Sequence, residues 1–270
     1  MWQSIRPVVV PIIGSLLTAM FLRQDARAQT VPAEAPTRKS AAVISVLGDR
    51  VIGVTVGLTV FQNDHETIDT DWGVDSNMVE RLSAALGERY DMKSVAYDRS
   101  TLLDVASKRE VFAPTGPLVD ALRKSIAPGT VDRLFVVRTS QIKDPFSGAN
   151  VYFSGYGVYA QDTLIFGRQN GFAFLNCFMV AIDGRTMKTL KEHVCSNDVS
   201  GPVMPHRKLE KPMTKAHLPN YSPEQLGTLR DLFFDMVVET IPLTLKKLNL
   251  AEVDDPKPIP ERPPQEESTR

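Results

Sequence analysis

The chain has little of what enzymes usually build their chemistry from. Its 270 residues hold two cysteines, four histidines and two tryptophans. No serine stands in G-x-S-x-G, so the nucleophile elbow of an α/β-hydrolase is absent. Neither G-x-x-x-x-G-K-[ST] nor G-x-G-x-x-G occurs, which excludes the phosphate-cradling loops those motifs form. No charge sign dominates: 31 Lys and Arg face 32 Asp and Glu, a net charge of −1. That balance argues against general nucleic-acid binding, which needs a basic face to neutralise phosphates. It argues equally against a polybasic membrane-surface role. Beyond the N-terminus, no segment is apolar over the roughly 20 residues that a spanning helix requires. There is no internal repeat.

What the sequence does have begins at its N-terminus. Arg6 supplies a positive n-region, and Pro7 to Leu22 is an apolar run of signal-peptide length. Ala26-Arg27-Ala28 then gives the small-x-small pattern of a cleavage site. The expectation is a signal peptide over residues 1–28, cut after Ala28, that sends the mature chain to a bacterial periplasm. The alternative is an uncleaved anchor, which Arg23, Asp25 and Arg27 keep open. Pro7, Pro11, Gly14 and the shortness of the run weigh against it. No cysteine follows the signal, so attachment of lipid to a new N-terminal cysteine is excluded. Cleavage would remove three arginines and one aspartate, leaving 28 basic and 31 acidic side chains and a net charge of −3.

Residues 29–41 read as a flexible linker, and residues 254–270, DDPKPIPERPPQEESTR, as a disordered Pro-rich acidic tail. Residues 42–253 form one expected globular domain with a substantial core. Within it, Ala42–Leu47 and Val51–Phe61 read as a hairpin turning at Gly48-Asp49. Gln62–Trp72 reads as a polar loop. Asp75 is the expected N-cap of a helix that carries Met78, Val79, Leu82 and Leu86 and ends at Gly87. Asp91–Tyr97 reads as a strand, Thr115–Ile126 as a helix and Val131–Thr139 as a central strand. Val151–Ala160, Gly171–Ile182 and Met187–Cys195 form a meander, with Gly171–Ile182 the deepest strand. In Ser154-Gly155-Tyr156-Gly157 the small residues would let a neighbouring strand approach closely.

Ser222, Pro223 and Gln225 give a capping box ahead of an amphipathic helix bearing Leu226, Leu229, Phe233, Met236 and Val237. Pro242 should kink or break that helix near Thr240, a break leaving Leu243–Leu248 as a second short one. The fold class is therefore α/β (α+β): a mixed, mostly antiparallel sheet with packed helices and a C-terminal amphipathic helix. The order of elements is similar to that of small α/β domains in envelope proteins such as the N-terminal domain of TolB. The likeness is one of order, and it assigns no residue.

Cys177 and Cys195 are an even pair in a chain expected to be exported, so a disulfide is favoured. If Asp183 opposes Thr186 in the intervening hairpin, Cys177 opposes Glu192, and Cys195 lies three residues beyond on the other face. A bridge then needs a bulge or a bend. Without a bridge, the two cysteines would be small buried apolar residues, or Cys195 beside His193 would be a nucleophile lacking an orienting partner.

Gly48-Asp49-Arg50 with Asn63-Asp64-His65-Glu66 resembles fragments of metallophosphoesterases, but the upstream Asp-x-His element is missing and the spacing is too short. The Gly-Asp pair is better explained as a turn. Asp64, His65, Glu66, Asp69 and Asp71 are the densest set of potential metal ligands. They lack the regular spacing of a calcium loop, so a solvated acidic loop is the plainer reading and no metal is assigned. Arg207, Lys208, Lys211 and Lys215 form the strongest basic patch, with Tyr152 and Tyr156 in the meander nearby. Exposed, the tyrosines would suit recognition; buried, they are core. The expected function is a non-enzymatic binding module of the cell envelope, with no cofactor, no nucleic-acid partner and no membrane span after signal cleavage. Its partner would be an envelope protein or polymer. The alternative is a periplasmic hydrolase assembled from Asp49, Asp64, His65 and His193.

Overall fold

Residues 171–182 are apolar on both faces, which suits only a strand covered on both sides. In the computed structural model they form the middle of β8 (Arg168–Asp183), where only Phe172 and Phe178 are partly exposed. The structure describes residues 38–57, 63–107, 115–163, 168–197, 204–210 and 217–255. The expected signal peptide, most of the linker and the tail beyond residue 255 lie outside these, as do Lys211 and Lys215.

The described residues form ten strands in one mixed sheet: β1 (Ser40–Val46), β2 (Arg50–Val56), β3 (Asp64–Asp69), β4 (Asp91–Met92), β5 (Arg133–Thr139), β6 (Gln141–Lys143), β7 (Tyr152–Thr163), β8, β9 (Lys188–Val194) and β10 (His206–Lys208). Five helices accompany them: α1 (Val74–Leu86), α2 (Arg99–Ser107), α3 (Thr115–Ser125), α4 (Pro223–Leu248) and α5 (Leu250–Asp254). This is the expected class, mixed α/β with mostly antiparallel pairing. Only β1 with β4, β1 with β5, and β2 with β7 run parallel.

The sheet has two tiers that share β8. Its C-terminal half pairs with β5 on one flank and β9 on the other. Its N-terminal half pairs with β7 and β10. Along one flank β5 gives way to β7: Thr139 opposes Cys177, and Gly155 opposes the adjacent Asn176. Since β1 lies parallel to β5 and β2 parallel to β7, β1 and β2 run end to end in one direction. They are not the hairpin that Gly48-Asp49 predicts. Gly48, at φ 83°, re-aims the chain from one tier into the other.

Side chains alternate faithfully across these tiers. Odd-numbered β8 residues (Ala173, Leu175, Cys177, Met179, Ala181) join α1 and α4 in one core cluster. On the opposite face, Val180 and Ile182 pack with Ala42, Ile44, Leu134 and Val136 against α2 and α3. In the other tier that face is covered differently. Val54, Phe153, Tyr159 and Phe174 meet Phe146, Ala149 and Val151 from the segment between β6 and β7, and among the described residues no helix contributes. Phe146 stacks on Phe172 with ring centroids 4.9 Å apart.

Several expectations need correction. Gln62–Trp72 contains a strand, β3, that pairs with β2; its side chains alternate between exposed and half-buried, as suits a charged sheet edge. The strand expected over Asp91–Tyr97 is only β4, and α2 was not foreseen at all. Ser40 and Ala41, read as linker, already belong to β1, and Asp254, read as tail, belongs to α5. The capping box of Ser222 and Gln225 forms, but α4 runs unbroken through Pro242. The carbonyl freed by that proline belongs to Val238, a 45% exposed residue that water can serve. Burial of Ile241, Leu245 and Leu248 is worth about 1.5–3 kcal/mol per side chain and outweighs the lost bond.

The chain enters and leaves this body at one pole. Arg133, whose side chain is 7% exposed, donates to the carbonyls of Val253 and Asp254 and to the Asp183 carboxylate. The Asp254 carboxylate also accepts from Arg89 and from the Tyr90 hydroxyl, and Lys39 donates to the Asp254 carbonyl.

Candidate functional site

Where the two tiers meet, three strand pairs break, and each break leaves backbone groups that must find partners. At the β1–β2 break the partner is Asp75. Gly73 caps α1, so Asp75 is not the expected N-cap; it lies in the first turn with its carboxylate directed at the break. It accepts from the Ser45 hydroxyl at 2.6 Å, the Leu47 amide at 2.8 Å and the Gly48 amide at 3.3 Å. Arg99 of α2 donates to it at 2.7 Å and to Asp49 at 2.9 Å. The buried Tyr156 hydroxyl donates to the Gly48 carbonyl at 3.0 Å, and burial pushes its phenol up to about 12, so it remains a donor at neutral pH. Two amides, a hydroxyl and a guanidinium thus form an anion cradle, and the chain's own carboxylate fills it. Asp49, a member of the hydrolase set, is held in this network by Arg99.

The other breaks are satisfied in the same manner. The Asn176 amide donates to the carbonyls of Ser140 at 2.8 Å and Phe153 at 3.2 Å. The Ser196 amide donates to Thr244 Oγ1 of α4, and Lys247 donates to the Ser196 hydroxyl.

Cys177 and Cys195 form a disulfide beside this junction, with Cα atoms 5.2 Å apart. The hairpin is longer than expected, since Asp183 opposes Lys188 rather than Thr186. Leu190 is then the extra residue of a bulge between the Ile182–Thr189 and Ala181–Lys191 pairs. These two shifts move the register by three residues and set Cys195 opposite Cys177, where its amide bonds the Cys177 carbonyl at 2.7 Å. The bridge removes the nucleophile from any Cys195–His193 pair. His193 Nδ1 lies 2.8 Å from the Val194 carbonyl.

The basic patch is only partly described. Arg207 is ion-paired with Glu239 of α4, while Lys208 is exposed on β10. Tyr152 is half-buried opposite Lys143. Tyr156 is fully buried against Phe233, so its place is the core and not a recognition surface. It falls on the β7 face turned toward α4, which an alternating aromatic pattern does not reveal by itself.

On β3, Asp69 pairs with Arg50, while Asp64 and Glu66 share a face. Glu66 accepts from the Leu218 amide and lies 3.0 Å from His217 Nδ1. Ligand atoms of Asp64, Glu66 and His217 all lie within 4.8 Å of one another. Two of these three were in the ligand-rich segment of the sequence. His217 was not, because it stands 151 residues from Glu66 and no local spacing joins them. No helix among the described residues is long and apolar enough to cross a membrane. No family model, curated protein or solved structure matches this chain.

Proposed function

We propose that the chain is an exported, periplasmic binding module of the cell envelope and not an enzyme. The observation that supports this best is the buried Cys177–Cys195 bridge. Such bonds persist in oxidising compartments and are rare in reducing ones. It agrees with the export address read in residues 1–28. The residues nominated for hydrolysis are engaged apart from one another: Asp49 with Arg99, His193 beside its neighbour's carbonyl, Asp64 and His65 on the edge strand β3. On this reading the partner is an anionic envelope protein or polymer, met by Lys208 and Arg207 together with Lys211 and Lys215.

The test is the intact mass of the full chain expressed with its own N-terminus in a Gram-negative bacterium. Osmotic-shock fluid is alkylated with and without reductant. Cleavage after Ala28, with thiols blocked only after reduction, is the expected result. Uncut, freely alkylated protein in the cytoplasm would overturn the reading. Charge reversal at Lys208, Lys211 and Lys215 should then reduce crosslinking to envelope components while leaving secretion unchanged.

A further inference from the structure

We propose that Asp64, Glu66 and His217 form a zinc site that fastens the edge strand β3 to the chain just ahead of α4. Asp64 and Glu66 are two residues apart on one strand and therefore project to one side. His217 arrives from a separate segment and brings an imidazole to the two carboxylates. All three donor atoms lie within 4.8 Å of one another. Zinc bound at about 2.0–2.2 Å holds its donors roughly 3.4 Å apart. The Glu66–His217 separation of 3.0 Å already approaches that spacing. Asp64 is exposed and its carboxylate accepts from the His65 amide at 2.8 Å, so it closes on the ion by changing rotamer and giving up that bond.

The donor set selects the ion. Calcium and magnesium take oxygen ligands almost exclusively, and an imidazole among two carboxylates shifts preference to a borderline metal such as zinc. The backbone is also set in advance. The Leu218 amide is anchored on Glu66 at 3.0 Å, and the Leu218 side chain is buried in the main core. His217 is thereby held at the edge strand before any metal arrives. With three protein ligands and a solvent-facing side, the remaining coordination position would hold water.

The experiment uses the full disulfide-bonded chain, stripped with chelator and titrated with zinc chloride against a zinc-sensitive indicator dye. Cobalt substitution reports the coordination number through its visible absorption. The expected result is one ion per chain, with His217→Ala and Glu66→Gln each weakening binding by about tenfold or more. His206→Ala and His193→Ala should leave binding unchanged. Glu66→Gln keeps an acceptor for the Leu218 amide, so it decides the question even if His217→Ala unfolds. Absence of binding at about 0.1 mM zinc would overturn the proposal. So would undiminished affinity in Glu66→Gln, or loss of binding on His65→Ala with retention in His217→Ala. A failure of export or of partner binding leaves this test unaffected.

Discussion

Replacing Asp75 by alanine tests whether a side chain holds the two tiers together. The substitution strands the Ser45 hydroxyl and the Leu47 and Gly48 amides in a buried site. Each unsatisfied donor costs about 1–3 kcal/mol, and partial entry of water reduces the total to about 3–4 kcal/mol. The ion pair with Arg99 adds little, because that side chain is 38% exposed and solvent screens it. Asp75→Asn keeps one acceptor oxygen but turns an amide toward Arg99, for a loss of about 2 kcal/mol. Arg99→Ala should cost no more than about 1 kcal/mol. Urea unfolding under oxidising conditions reads these values. With a slope near 3 kcal/mol/M, Asp75→Ala moves the midpoint down by about 1 M. Hydrogen exchange should quicken at the amides of residues 47 and 48 before the global transition. The reasoning fails if Asp75→Ala costs under about 1 kcal/mol, or if Arg99→Ala costs as much. The second outcome would make the cradle an ion pair and not a cap for broken strands.

Other expectations follow from the same geometry. Removing the disulfide as Cys177→Ala/Cys195→Ala should cost about 3 kcal/mol, as expected for a closed loop with a sequence separation of 18, read from the denaturation midpoint. A Cβ on Gly157 would lie 1.9 Å from the Ile52 carbonyl oxygen, so Gly157→Ala must separate β7 from β2. A loss of about 3 kcal/mol or failure to fold is expected, and a wild-type thermal midpoint would contradict the close approach. Hydrogen bonds from Ser40 and the Arg185 guanidinium hold the Asp132 carboxyl down to about 2, below its ordinary value near 4. A depressed folded-state value contributes stability that is complete above about pH 4 and lost as pH falls toward 2. Asp132→Asn should flatten that part of the acid-unfolding profile, and an unchanged profile would assign the acid sensitivity elsewhere.

The sequence discloses elements best where one periodic pattern and one burial rule agree. The capping box at Ser222, the stripe through Leu229, Phe233 and Val237, and the doubly apolar run of β8 are all of this kind. The disulfide was legible up to its register, which a turn two residues longer than expected and the bulge at Leu190 together supply. β3 was missed because its strand signal is carried by charged residues, whose alternation describes an edge and not a core. The end-to-end course of β1 and β2 was missed because a Gly-Asp turn marks a change of direction without giving its angle. Asp75 lay at a helix start, where capping is the usual use of such a residue; its partners in β1 become neighbours only after the sheet forms. His217 illustrates the same limit at a separation of 151 residues.

The pole where Arg133 gathers Val253 and Asp254 beside the start of β1 has a mechanical meaning. A load applied between the two ends of the body would first strain the bonds that Arg133, Arg89, Tyr90 and Lys39 make to Val253 and Asp254. The loop between Cys177 and Cys195, a sequence separation of 18, would contribute no contour length while the bridge is intact. Such a body would extend by less than its full chain length until the bridge is reduced.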